Sequence, residues 1–456
     1  MRNKFEKLFA AAVLAGTAAL NAAQVDHVLV RQQWPWNTEV RVEYVVSGAT
    51  NPAEVTFTFR NGGTVVPVAD ATALKGDHLW AGNGTHVVTF DPRELFGPAA
   101  PNEYTAFTVD VTLGAESATM GDKLYRIVDL ETGAVEDLVR GDFYNGKYGT
   151  FSTRYGDFTA GGQCSTPLSD VFIWTGVTNN PAWRTTKMVL RYIPAATYGS
   201  WMMGVTESAS TEISASRHLV QLTSDYWMGV FPVTQRQYEI LMGSRGLMYT
   251  NETTYAGRDG YPVYGIAYTT WRGKTYDWTV DGHQVTGGSF IGKLRAKTGN
   301  TIEFDLPTEA QWEFASRAGQ FETVQYSGRS YGKTQLLAIS WNSDNSAVNG
   351  VYQPHVVGRK PPNAYGLYDT LGNIWEWCLD WSNGGDYAWT STDTPEVNPQ
   401  GIAKADVTID QYGNGNHITR GGTFNGSRGY CHCASRSKAN ASSTGNATIR
   451  VCCPAE

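Results

Sequence analysis

The sequence predicts an α+β chain: a small all-β unit at the N-terminus, then a larger domain of short helices, strands and long loops. Two observations carry this. Apolar and polar residues alternate in short runs over residues 24–113, and from Lys187 onward two helix-start boxes stand among long stretches rich in glycine and tryptophan. In the first region Val40, Val42 and Tyr44 alternate with Arg41 and Glu43, and Val55, Phe57 and Phe59 alternate with Thr56 and Thr58. A period of two with one apolar face is a half-buried strand. Asn61-Gly62-Gly63 leads from the second run into Thr64 to Val68, a hairpin pattern. Further strands are expected at His86 to Phe90 and Tyr104 to Leu113. Short strands at this spacing read as an immunoglobulin- or fibronectin-like sandwich. Its expected role is that of a spacer or docking module, because no cluster of titratable residues stands out in it.

Residues 114–186 lose this periodicity in Gly-, Thr- and Ser-rich sequence with scattered aromatics, and read as a connector packed partly on the domain after it. That second domain is expected over residues 187–456. Lys187 to Pro194 reads as its entering strand. Thr234-Gln235-Arg236-Gln237 is a capping box, in which the Thr234 hydroxyl accepts the Gln237 amide and the Gln237 side chain reaches back to the cap. A helix starting there presents Tyr238, Leu241 and Met242 on one face and stops at Gly243. The box recurs at Thr308-Glu309-Ala310-Gln311, ahead of a helix that carries Trp312, Ala315 and Arg317 and ends at Gly319.

The 456 residues include 41% hydrophobic and only 17% charged, for a net charge of −7. No basic stripe is available to neutralise phosphates, which argues against nucleic acid as a partner. Glycine (49), tyrosine (24) and tryptophan (15) are plentiful, a balance that favours ordered, aromatic-pinned loops over helical bundles. Residues 1–23 carry Arg2, Lys4 and Lys7, an uncharged run from Leu8 to Leu20, then small residues: the layout of a secretory signal peptide. That run is short of the about 20 residues a membrane span needs, and the rest of the chain has no second apolar stretch of that length. The expected location is secreted or periplasmic. There the six cysteines, Cys164, Cys378, Cys431, Cys433, Cys452 and Cys453, are candidates for disulfides whose pairing the spacing does not fix.

The stretch with most chemical content runs from Pro362 to Trp381. Asp369 and Glu376 bracket a glycine turn, with the carbonyls of Gly372 and Ile374 between them. Calcium takes several oxygen ligands, and two carboxylates plus turn carbonyls supply them. The competing reading is a tryptophan-rich turn that anchors a core.

Three segments in order carry a resemblance: Leu306-Pro307-Thr308-Glu309-Ala310-Gln311-Trp312-Glu313-Phe314-Ala315, then Gly366-Leu367-Tyr368-Asp369 through Trp375-Glu376-Trp377, then Arg420-Gly421-Gly422-Thr423-Phe424. They resemble the successive motifs of the formylglycine-generating enzyme, or sulfatase-modifying factor, family. Ile193-Pro194-Ala195 with Met203-Gly204, and Val233-Thr234 with Gln237-Tyr238, are similar to its opening motifs. The resemblance covers about residues 187–453. It implies a compact fold related to C-type lectins, with structural calcium held by Asp369, Gly372, Ile374 and Glu376; a second family calcium site near Trp341 to Asn345 falls in a divergent loop and is not carried over. It also implies, for active members, oxidation of a cysteine in a client sulfatase to formylglycine, using oxygen and copper on a C-x4-C pair. Thiolates are natural ligands of copper(I). Here Gly426 stands at the first cysteine position and Cys431 at the second. Cys431 is therefore the single candidate catalytic residue, and the copper pair is incomplete. Cys431-His432-Cys433 offers an improvised alternative, against which stands the plainer reading of a buried or disulfide-bonded cysteine.

The histidines show no HExxH spacing, and no nucleophile elbow or phosphate loop is present. Residues 425–448 are crowded with Asn, Ser, Gly, Ala and Thr. In the implied fold they lie where an enzyme's groove or a lectin's ligand surface would be, and small polar side chains suit adaptable recognition. The expected partner is accordingly a protein, peptide or glycan ligand. The segment also resembles the variable region of retroelement-diversified proteins that share this fold. Three functions are weighed: a binding or otherwise divergent member of the family, a copper- and oxygen-dependent oxidase of exported sulfatases, and a lectin-like module using exposed tryptophans.

Overall fold

The computed structural model describes residues 22–32, 38–101, 104–153, 171–204, 217–245, 258–273, 278–319, 333–384, 392–412 and 414–455. The expected signal segment up to residue 21 and Cys164 lie outside them. The described chain forms two compact units, one up to Asp122 joined by Val139–Lys147, the other Lys123–Leu138 with Tyr148 onward.

In the first unit the alternating runs become strands. Val40–Ser47 buries every second residue, and it pairs with Gln24–Gln32 on one side and Gly84–Phe90 on the other. Ala53–Asn61 pairs with Phe107–Glu116 and, through the hairpin at Gly62-Gly63, with Thr64–Val65. Both hairpin glycines have positive φ, 56° and 86°, as a tight two-residue turn requires. Val42, Tyr44 and Val88 of one sheet share a hydrophobic cluster with Val55, Phe59 and Val109 of the other. The unit also holds helix where strands alone were expected. Asp91 caps Pro92–Phe96 by accepting the Arg93 amide, with proline at the first turn where its missing N–H costs nothing. Arg140–Tyr144 lies in the same unit, and Asn145 fastens it by accepting the Leu79 and Trp80 amides and donating to the Trp80 carbonyl.

The second unit is a mixed α+β fold. Its largest sheet has the order Val135–Val139, Lys123–Asp129, Lys187–Ile193, Tyr226–Gly229, Cys452–Pro454. Two of these strands come from the stretch expected as a connector. Leu124 through Val128 are all buried, so the strand shows no polar alternation to betray it. Arg126, among them, is paired with Asp137 of the neighbouring strand at 2.6 and 2.8 Å. A four-stranded sheet, in the order Arg436–Asn440, Asn416–Arg420, Trp375–Ser382, Ala447–Thr448, carries the motif segments.

Both capping boxes form, at Thr234 and Thr308, and start helices Gln235–Met242 and Glu309–Arg317. The first ends on Gly243 at φ 79°, and the second at Ala318 in a left-handed conformation, one residue before the expected glycine. Further helices not expected from the sequence stand at Tyr268–Trp271, Trp278–Asp281, Phe290–Lys297 and Lys333–Ile339. Trp227, Trp271, Trp377, Phe290 and Leu294 share one buried core. Among the described residues no helix is long and apolar enough to cross a membrane.

Candidate functional site

The motif turn is fixed by backbone geometry. Asp369, Gly372 and Asn373 all have positive φ, 57°, 82° and 67°. A Cβ on Gly372 would stand 2.2 Å from the Trp341 carbonyl oxygen, so only glycine fits. The Gly372 amide donates to the Gly421 carbonyl at 2.6 Å, the Asn373 amide to Trp341 at 2.8 Å, and the Phe424 amide back to Asn373 at 2.9 Å. These bonds join the second and third motif segments into one structure.

Glu376 is fully buried in the centre of this structure. Its Oε1 accepts from Arg450 Nη2 at 2.7 Å, and its Oε2 accepts from Arg450 Nε at 2.9 Å and from Trp312 Nε1 at 2.6 Å. Arg450 gives its remaining N–H groups to the carbonyls of Gly229, Val230 and Tyr368, at 2.7 to 2.9 Å. All five guanidinium donors are thus satisfied, the condition under which a buried charge is tolerated. Asp369 is also buried; its Oδ2 accepts from the Gly358 amide at 2.7 Å and its Oδ1 from Asn373 Nδ2 at 3.3 Å. Burial pushes its carboxyl up to about 6, with opposing help from the Gly358 hydrogen bond and Arg450 and a further push from Glu376.

The expected calcium ligands Asp369, Gly372, Ile374 and Glu376 are therefore brought together in one turn, but as a set they do not fit a calcium cage. Glu376 is bidentate to a guanidinium, whose charge would oppose a cation on the same carboxylate. The Gly372 carbonyl accepts from the Ile374 amide at 2.9 Å, and Ile374 packs with Tyr264 and Phe424. Among the described residues no group of three or more His, Cys, Asp or Glu side chains is arranged to hold a metal.

The copper pair fares no better. Gly426 contributes no thiol, and a Cβ there would lie 3.0 Å from Thr423 Cγ2 and 3.4 Å from the Tyr430 ring. Cys431 is buried in an apolar cluster with Leu336, Leu371 and Cys433. Burial pushes the Cys433 thiol up, against the pull of Arg317, so the neutral form is favoured where copper(I) needs thiolate. The five described cysteines are all buried and none is disulfide-bonded.

The sequence reading missed a buried ion network beside this turn. Glu309, Glu313 and Arg317 stand at steps of four on one helix face. Arg436 is bidentate to Glu309 at 2.9 and 2.7 Å, Arg317 bonds Glu313 at 2.8 Å, and Arg420 bonds Glu313 while donating to the Ser435 carbonyl at 2.7 Å. Asp380 accepts the Glu309 amide at 2.6 Å, and burial followed by the charge of Glu309 pushes its carboxyl well above the usual range. His432 lies in the same surroundings, its Nδ1 without a hydrogen-bond partner among the described residues, and burial first, then Arg420, holds it down to about 4 and neutral. His218, Glu309, Asp380 and Glu396 line one small cleft together with Met203 and Pro399. The step-of-four spacing was visible in the sequence; the arginines that complete the network are 107 and 127 residues away from the glutamates they meet.

Residues 179–452 match the sulfatase-modifying factor enzyme 1-like domain. The chain is 32% identical over 143 residues to the formylglycine-generating enzyme of Bos taurus, a stretch covering 29% of this chain and 34% of that enzyme. It is 40% identical over 75 residues to the inactive C-alpha-formylglycine-generating enzyme 2 of Bos taurus, covering 16% of this chain and 25% of that protein. Among solved structures, Treponema denticola variable protein 1 is similar at 20% identity with a TM-score of 0.41, over 59% of this chain and 95% of that one. The chain thus spans about a third or less of the length of these curated relatives. Because the matched domain takes up more than half of its residues, the chain belongs to the sulfatase-modifying factor enzyme 1-like family.

Proposed function

We propose that the family domain of this chain is a binding module, which recognises a protein, peptide or glycan ligand and does not form formylglycine with copper. The observation that carries the reading is the glycine at position 426 together with the apolar burial of Cys431. A copper(I) oxidase needs two thiolates on one accessible surface, and the residues here offer one buried thiol at the paired positions. A relative named as inactive shows that the scaffold is kept without the activity in at least one member. The surface beside Gly426 suits recognition: Trp375 and Tyr430, both half-buried, meet edge to face at 5.6 Å, and Asn425 and Asn446 hydrogen-bond each other at 3.2 Å nearby. An aromatic edge flanked by amides is a common ground for peptide or sugar contacts. In the same reading the N-terminal strands form an immunoglobulin- or fibronectin-like spacer and the chain is exported, which N-terminal sequencing of the mature protein would check.

The second reading, a copper- and oxygen-dependent oxidase, is favoured by the relatives named formylglycine-generating enzyme. The two separate in one assay: full-length protein loaded with copper(I) is given a Cys-x-Pro-x-Arg peptide and the product is read by mass. The binding reading expects no aldehyde. Turnover that Cys431→Ser abolishes would replace it with the oxidase reading.

A further inference from the structure

Two arginines that the rest of the site does not use meet at the turn Val357-Gly358: Arg359 follows it in the chain, and Arg184 reaches it from another segment. The turn's backbone is pinned on both sides: the Val357 amide donates to the Gly260 carbonyl at 2.9 Å and the Gly358 amide to Asp369 Oδ2 at 2.7 Å. Gly358 has a φ of 74°, and a Cβ there would stand 2.6 Å from the Phe231 ring, so the turn requires glycine at this position. Arg359 projects from this turn, exposed, with no hydrogen-bond or ion-pair partner among the described residues.

Arg184 approaches the turn from the other side. It ends the short helical segment Pro181–Arg184, whose last carbonyl accepts the Thr234 hydroxyl at 2.7 Å, and its stem passes over Gly260, where a Cβ would lie 3.7 Å from its Cδ. Arg184 Nη1 donates to the Val357 carbonyl at 3.3 Å. That carbonyl is two residues before Arg359, which bounds the backbone separation at roughly 7 Å. Among the described residues Arg184 has no carboxylate in salt-bridge reach. Burial, and next the charge of Arg359, hold its guanidinium below the usual arginine range, against a weaker pull from Asp369. Lys360 adds a third positive charge beside the pair, but its ammonium is taken up by the Leu337 carbonyl at 2.5 Å and the Trp341 ring face at 4.1 Å. The negative counterpart, Asp369, is buried and bonded to Gly358 and Asn373.

The two guanidiniums, Arg184 with one carbonyl partner and Arg359 with none among the described residues, repel one another at this turn, and an anion taken up by both offsets that repulsion. Their forked N–H groups match the oxygens of sulfate and phosphate two at a time. We propose that Arg184 and Arg359 form a binding site for a sulfate or phosphate group, either as the free oxyanion or as the ester of a larger ligand. A fixed backbone reduces the ordering that binding has to impose, which favours affinity for so small a group.

Isothermal titration calorimetry of the full chain with sodium sulfate and with sodium phosphate, against sodium chloride at equal ionic strength, tests this. Saturable heat is expected for the oxyanions and not for chloride, and a methyl sulfate arm shows whether an ester is taken as well as the free ion. Arg359→Gln leaves the fold alone, since that side chain has no partner to lose, and is expected to weaken oxyanion binding by about tenfold or more, the effect of losing one charge-assisted contact. Arg184→Gln is expected to do the same, with its melting temperature measured alongside. Equal affinity in the wild type and Arg359→Gln, or no saturable heat with either oxyanion in the wild type, would overturn the assignment.

Discussion

Removing the Glu376 carboxylate probes the centre of the family domain. In Glu376→Ala, Arg450 keeps its three carbonyl partners but loses the carboxylate that pairs with it directly, and Trp312 Nε1 loses its acceptor. Breaking one side of a buried ion pair costs about 3–5 kcal/mol, and an orphaned buried donor about 1–3 kcal/mol more. The lower bound, about 4 kcal/mol, corresponds in a domain of this size to a melting shift of roughly 8–16 °C. Urea unfolding followed by tryptophan fluorescence reads it directly, because Trp312 and Trp377 report on the turn. A double-mutant cycle with Arg450→Met should show the pair as coupled, the double variant being less destabilised than the sum of the singles. Repeating the series with calcium and with a chelator separates the two roles open to Glu376. The ion-pair geometry expects the same loss in both. A loss below about 1 kcal/mol, or one that appears only with calcium present, would refute the reasoning and return Glu376 to the metal.

The same packing has other measurable consequences. Gly372→Ala should destabilise by at least about 1–3 kcal/mol, since the new Cβ meets a carbonyl oxygen in a left-handed backbone. Gly426→Ala, whose Cβ meets the Thr423 methyl group at 3.0 Å and otherwise makes ordinary contacts with the Tyr430 ring and the Thr423 carbonyl, should cost less than about 1 kcal/mol; parallel urea melts compare them. Asp380 has its folded pKa raised by burial and by Glu309, so its contribution is fully present in acid and is lost as pH rises from about 4 through neutrality. Asp380→Asn should therefore flatten the fall in stability on the alkaline side, and an unchanged pH profile would contradict the assignment. The buried thiols of Cys378, Cys431, Cys433, Cys452 and Cys453 should react with a thiol reagent only at the rate of unfolding, and rapid labelling of Cys431 in native protein would show a surface the structure does not give it.

What the sequence disclosed was local. The capping boxes at Thr234 and Thr308 are complete within four residues, and both form as read. The period-two runs at Val40 and Val55 became strands because one face meets a core and the other meets water. Lys123–Asp129 escaped notice because it is covered on both faces and carries a buried arginine where a polar, solvent-facing residue would have marked the pattern. Asp369 and Glu376 looked like a ligand pair from spacing alone. The residue that decides the role of Glu376 is Arg450, 74 positions further on, and nothing in local spacing links them. The same distance hid the Glu309 and Glu313 network, whose arginines arrive from two neighbouring strands of one sheet. Gly426 was visible, and the structure adds that Cys431, the surviving half of the pair, faces leucines.

The most direct test of the account is the copper-loaded assay on the full chain. The protein should convert none of a Cys-x-Pro-x-Arg peptide to the aldehyde, with or without copper(I) and oxygen, while remaining folded by its melting curve. Formation of formylglycine above the protein-free control, abolished by Cys431→Ser, would contradict the claim that this member of the family binds and does not oxidise.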